Sequence, residues 1–142
     1  MDFEIIKRLK NLEFDPKTLK PINVKGPLTL EETTYIVETR PKIQLRSKRC
    51  EAAYQRHIRR FGNVNPVPNK YNYKLELKLN DYPYNLHPEL RHYILWYHGP
   101  WETLESEYKK LCRMFNPELF WINLPEHRTI STPHAHIIRK ER

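Results

Sequence analysis

Strict alternation of polar and apolar positions runs through Lys74-Leu75-Glu76-Leu77-Lys78-Leu79. That is the period of a strand with one covered face, and the lysines suit a sheet edge. The stretch from His92 to Tyr97 is apolar at consecutive positions instead, which predicts a central strand covered on both sides. Elsewhere the spacing turns helical. Phe3, Ile6 and Leu9 share one face of residues 2–12, and Leu104, Tyr108, Leu111 and Phe115 share one face of residues 101–115. Ile43, Cys50, Tyr54, Ile58 and Phe61 do the same over 42–61, where Gly62 marks the end. Thr29-Leu30-Glu31-Glu32 has the spacing of a capping box, so another helix begins there and ends before Pro41. Between the first two helices, Asp15 to Pro27 reads as a connection. Residues 64–73, with Pro66 and Pro68, read as extended. Asn116-Pro117 stops the late helix, and strands follow over 118–123 and 134–139.

These elements predict an α/β or α+β fold: a small mixed sheet of about four strands with an N-terminal helical layer. The strand–helix–strand run from His92 to Asn123 has the form of a right-handed crossover joining a parallel pair. One domain over 1–142 is expected, with a helix and extended arm over 1–27 and the main core over 28–142. Ile94, Leu95, Leu104, Leu111, Phe115, Phe120, Ile122 and Ile137 are the expected core.

Composition narrows the class. Twelve Pro against three Gly in 142 residues imply stiff connections, and nine Tyr, five Phe and three Trp supply much of the core volume. No run approaches the ~20 apolar residues of a membrane span. The first residues are charged and lack an apolar signal core, so a cytoplasmic or nuclear, non-secreted protein is expected, with no membrane partner. Cys50 and Cys112 are isolated and read as reduced thiols. The net charge of +8 is concentrated, because Arg40 to Arg60 holds eight Lys or Arg against a single Glu. Arg46, Arg49, Arg56 and Arg60 form a stripe on the predicted 42–61 helix. Such a stripe can follow a nucleic-acid backbone or an acidic protein surface, or simply be a solvated face.

Residues that can do chemistry crowd the last third of the chain, Trp121-Ile-Asn-Leu-Pro-Glu-His-Arg-Thr-Ile-Ser-Thr-Pro-His-Ala-His136. Side chains at i and i+2 of a strand point the same way, so His134 and His136 can share one space. With His92 they are the candidate catalytic residues, as general acid, general base or nucleophile. Tyr84, Trp121, Asn123, Arg128 and Ser131 are the candidate ligand-binding residues, Arg128 supplying a bidentate grip on phosphate or carboxylate. The same three histidines, helped by Asp81 or Glu126, have the chemistry of zinc or iron ligands, but no metal is assigned and the cofactor is left unknown. A third reading makes the cluster a buried polar network that only fixes the 124–133 connection.

Two resemblances are visible. Asn80-Asp81-Tyr82-Pro83-Tyr84, the strand His92 to Trp96, Trp121-Ile-Asn123, Arg128-Thr-Ile-Ser131 and His134-Ala-His136-Ile-Ile, taken in order, resemble the N-acetylglucosamine-induced protein family. That is a domain of fungi and large DNA viruses, and the resemblance covers roughly residues 28–139. Phe61-Gly62-Asn63-Val64 is similar to the family's Tyr-Gly-Ser-Val corner, whereas Tyr82 stands where the family has Trp. The resemblance implies expression under a sugar signal rather than a particular activity. The closing Pro-His-Ala-His-Ile-Ile also looks like the end of the histidine-triad nucleotide hydrolases and transferases, with Ile138 in place of their third alternating His.

Two functions are therefore expected as alternatives. In one, a His/Arg/Asn pocket binds or hydrolyses a phosphorylated or anionic small molecule. In the other, a non-enzymatic basic protein docks nucleic acid, an acidic partner or a viral particle through the 42–61 helix.

Overall fold

A computed structural model describes residues 3–62, 75–111, 116–128 and 130–141. The chain begins with a short helix α1 (Phe3–Arg8), a hairpin of β1 (Leu12–Phe14) and β2 (Pro21–Val24), and helix α2 (Leu30–Thr39). Helix α3 (Lys48–Phe61) and strands β3 (Leu75–Leu79) and β4 (Leu90–Tyr97) follow, then helix α4 (Trp101–Leu111) and strands β5 (Leu119–Trp121) and β6 (His134–Lys140). A single 3-10 turn, Pro125–His127, interrupts the last connection.

The main sheet has the order β3-β4-β6-β5, and every pairing in it is antiparallel. The four strands and the N-terminal helical layer are as expected, and the fold is α+β. The mixed sheet is not found. Strands β4 and β5 do run in the same direction across α4, but β6 inserts between them, so the crossover joins strands that never pair. As the alternation implied, β3 lies at an edge, with Leu77 and Leu79 exposed.

Near the N-terminus, two expectations are corrected. The helix over 2–12 stops at Arg8, because the chain turns there and enters the β1–β2 hairpin, whose second strand lies in the stretch read only as a connection. The helix over 42–61 begins only at Lys48, where the Ser47 hydroxyl accepts a bond from the Cys50 N–H. Ile43 and Arg46 therefore precede the helix. At its other end Gly62 takes φ 78°, the conformation that favours glycine. The expected extended stretch over 64–73 lies outside the described residues, as do the last residues expected of the 101–115 helix.

One face of the sheet packs on α4. Leu95 and Tyr97 of β4 and Ala135 and Ile137 of β6 meet Leu104 and Tyr108 of α4, and Tyr108 stacks on Phe120 with ring centroids 3.6 Å apart. Of the expected core, Ile94 lies on the opposite face, Phe120 and Ile122 are partly buried, and Leu111 and Phe115 are not among the described side chains. The turn from β4 into α4 needs Gly99, since a Cβ there would sit 2.5 Å from the Tyr97 ring.

The opposite face is covered by α2 and α3. Leu30 and Val37 of α2 pack near Leu90, Trp121 and Ile138, while Ile58 of α3 packs near Ile94 and Trp96. Helix α2 is anchored through Glu32, a buried carboxylate. It accepts the Thr29 N–H at 2.9 Å to complete the capping box, and the Asn11 N–H and side-chain amide at 2.7 and 2.8 Å. One side chain thus fixes both the start of α2 and its seat on the hairpin. Glu32→Ala would strand those donors in a buried place, and it should lower the unfolding free energy by about 3 kcal/mol in urea titrations. An unchanged midpoint would show that the carboxylate anchors nothing.

Candidate functional site

The alternation of β4 and β6 decides where the histidines go. Leu95, Tyr97, Ala135 and Ile137 are committed to the α4 face, so His92, Ile94, Trp96, His134, His136 and Ile138 emerge on the other. Ile94 stands opposite His136 in register, which makes His92 and His136 diagonal neighbours, with ring centroids 5.2 Å apart. Trp121 of β5 stands opposite His136 from the other side and stacks on it at 4.9 Å with 5° between the planes. Tyr84, in the loop before β4, covers both imidazoles, at 4.6 Å from His92 and 6.1 Å from His136.

Hydrogen bonds fix the protons in this stack. Nδ1 of His92 faces the Tyr84 backbone N–H at 3.3 Å and the Asn80 side-chain amide at 3.4 Å. The Asn80 amide oxygen already accepts the Tyr82 N–H, so its NH2 is the end that meets His92. With donors on that side, His92 Nδ1 accepts, and the ring proton sits on Nε2. His92 Nε2–H then donates to His136 Nδ1 at 2.9 Å, which leaves His136 protonated at Nε2. Burial pushes the pKa of His92 down to about 3, with Arg46 and His134 acting in the same direction. Burial, then His92 and His134, hold His136 well below the usual histidine range. Both rings are neutral at pH 7.

His134 is built differently. Its Nδ1–H donates to the Thr132 carbonyl at 2.7 Å, so Nε2 carries the lone pair. The ring sits between Trp96 and Trp101, at 5.3 and 5.5 Å. Burial lowers its pKa against the opposing bond to Thr132, and Arg128 lowers it further. His134 and His136 both line a cavity of about 430 Å3, whose other walls include Arg46, Lys78, Tyr84 and Trp96. Arg46 reaches it from the segment before α3. Its Nε donates to the Tyr82 carbonyl at 2.7 Å, its Nη1 meets Glu51 at 3.3 Å, and the guanidinium lies 4.0 Å over Tyr54.

The expected site residues divide accordingly. His134, His136, Tyr84 and Asn123 share the cavity. His92 does not line it, because both ring nitrogens are used inside the protein, so its candidate catalytic role is replaced by a supporting one. Trp121 backs His136 and opens instead onto a second cavity. Arg128 lines neither cavity: its Nε donates to the Asn123 carbonyl at 2.9 Å and its guanidinium lies 3.7 Å over Trp101. That makes it a brace for the 124–133 connection rather than a ligand grip. Ser131 is exposed and lines neither cavity. Arg49, Arg56 and Arg60 are exposed on α3, but Arg46 leaves that stripe for the cavity. Among the described residues no three His, Cys, Asp or Glu side chains are grouped to hold a metal ion.

Sequence reasoning missed Arg46, Lys78 and Asn80 as cavity walls. Ser47 was the available signal for Arg46, since a cap residue there starts the helix after Arg46 and leaves it off the helical stripe. Lys78 looked like an edge-strand lysine, and nothing local distinguishes it from one.

No family model matches the chain, and no curated protein does. A solved structure described as the crystal structure of HTC1 is similar, with a TM-score of 0.57 and 16% identity over 80% of this chain and 85% of that chain. At that identity the likeness is one of fold. No helix among the described residues is long and apolar enough to cross a membrane.

The buried neutral imidazoles tie stability to pH. Unfolded, His92 titrates near pH 6.5; folded, its pKa is about 3. Between those values the unfolded chain binds the extra proton, so the stabilisation is complete above pH 6.5 and declines as the pH falls toward 3. From pH 7 to 5 the loss through His92 alone should be about 2 kcal/mol, with His136 and His134 adding to it. Urea unfolding at pH 7, 6 and 5 measures this. Equal stability at all three would show that the rings protonate in place.

Proposed function

We infer that the cavity between His134, His136 and Arg46 binds a phosphorylated or otherwise anionic small molecule that carries a ring, and that His134 moves a proton on it. The observation that carries this reading is the state of His134. Its Nδ1–H is pinned to a backbone carbonyl, and it borders a cavity that also receives Arg46 and Lys78. A neutral imidazole held in that way can take a proton at Nε2 from a hydroxyl or a water, and the bond to Thr132 strengthens as the ring becomes charged. Arg46 and Lys78 supply the positive charge for an anionic group. Tyr54, Tyr84 and Trp96 offer aromatic surface to a ring, and about 430 Å3 falls within the size range of small-molecule sites.

The roles are separable. Arg46 binds and orients the anion, His134 handles the proton, and His136 stays neutral as part of the wall. A panel of nucleotides and sugar phosphates, screened by thermal shift, tests the binding. At least one should raise the melting temperature of the wild type. Arg46→Gln should remove that increment. His134→Ala should keep most of the binding while abolishing phosphate release from any ligand that is hydrolysed. A panel in which nothing stabilises the wild type, or in which both variants respond as the wild type does, would contradict the reading.

A further inference from the structure

A second cavity, of about 530 Å3, lies behind the first, and Tyr84, Asn123 and His127 line both. Its own walls include Arg40, Lys42 and Trp121. Glu126, the only carboxylate among the described residues of its lining, is exposed. Asn123 is the partition between the two spaces, and its hydrogen bonds do not close. Its amide oxygen accepts from Arg40 Nη1 at 2.8 Å and from Trp121 Nε1 at 3.2 Å. Its NH2 is thereby turned toward His136 Nε2, 3.3 Å away. That nitrogen carries the ring proton, so two donors face each other.

Neither alternative removes the conflict. Reversing the proton order along the two imidazoles would let His136 Nε2 accept from Asn123. It would also set a His92 Nδ1–H against both the Tyr84 N–H and the Asn80 amide, and a backbone N–H cannot turn away. Turning the Asn123 amide over would satisfy His136 but oppose its NH2 to Arg40 and Trp121. Two donors prevail over one, and the mismatch stays at His136. An unfilled demand of this kind inside a protein is destabilising. What the cluster lacks is one more acceptor, placed where Arg40 and Trp121 point.

We propose that the second cavity is an anion site for a carboxylate or phosphate group, which takes the Arg40 guanidinium and the Trp121 indole N–H from Asn123. The released amide then turns over. Its oxygen accepts from His136 Nε2–H, and its NH2 becomes a third donor to the anion. Lys42 adds positive charge at the rim. The backbone supplies independent support. Arg40 caps α2 in the left-handed conformation, φ 51° and ψ 51°, at the position helices usually give to glycine. An arginine held there at a steric cost, with its guanidinium on Asn123, is accounted for by a role for that side chain. The site is distinct from the cavity at His134 and stands whether or not that cavity binds a ligand.

Titration with inorganic phosphate, and with acetate as the carboxylate arm, should shift the Trp121 indole N–H resonance saturably. Arg40→Gln should abolish the shift, and His134→Ala should leave it in place. Asn123→Asp gives the sharper result. A carboxylate at position 123 can accept from Arg40, Trp121 and His136 together, so the variant should melt at a higher temperature than the wild type and no longer respond to either anion. If Asn123 is merely structural, the same change lowers the melting temperature. That result, a wild type whose indole resonance responds to neither anion, or a response that survives Arg40→Gln would each overturn the proposal.

Discussion

Two imidazoles, His92 and His136, meet inside this protein with one proton between them, and the surrounding structure is arranged to keep them neutral. A charged ring in that position would lack both water and a counter-charge, a cost of several kcal/mol. Trp121 and Tyr84 cover the pair, and Asn80, Tyr84 and Asn123 offer it donors rather than carboxylates. The positive charge of Arg40 and Arg46 lies close enough to oppose protonation further. Because the pair is neutral and its lone pairs are engaged, the one ring beside it with a spare lone pair, His134, becomes the chemically available group on this face.

The sheet separates packing from chemistry by its pleat. Its α4 face is closed by aliphatic and aromatic contacts, including the Tyr108–Phe120 stack, and contributes rigidity. Its other face cannot close in the same way, since it carries three histidines, and α2 and α3 cover it at its two sides. The two cavities lie on that face and share the Asn123 wall. Arg46 and Arg40, each placed just outside a helix, bring positive charge to one cavity apiece.

Local signals were legible in the sequence, and long-range ones were not. The capping box at Thr29–Glu32 gave the start of α2 because all its atoms lie within four residues. The second task of Glu32, holding Asn11 across 21 positions, leaves no trace in the pattern. The i, i+2 spacing correctly put His134 and His136 on one face. The diagonal meeting of His92 with His136 depends on β6 inserting between β4 and β5, which strand periodicity cannot reveal. Arg46 was misplaced for a simple reason. Ile43 has helical spacing to Cys50 by accident, and the Ser47 cap, a weaker mark, sets the true boundary. Arg128 showed the opposite error, since an arginine beside candidate ligands reads as a grip, while a stack on Trp101 exists only in three dimensions.

Long-range 1H–15N correlation of the histidine side chains at pH 7 reads directly which ring nitrogens hold protons. All three rings should be neutral, with His92 and His136 protonated at Nε2 and His134 protonated at Nδ1. An imidazolium signal from His92 or His136, or a His134 ring protonated at Nε2, would contradict this.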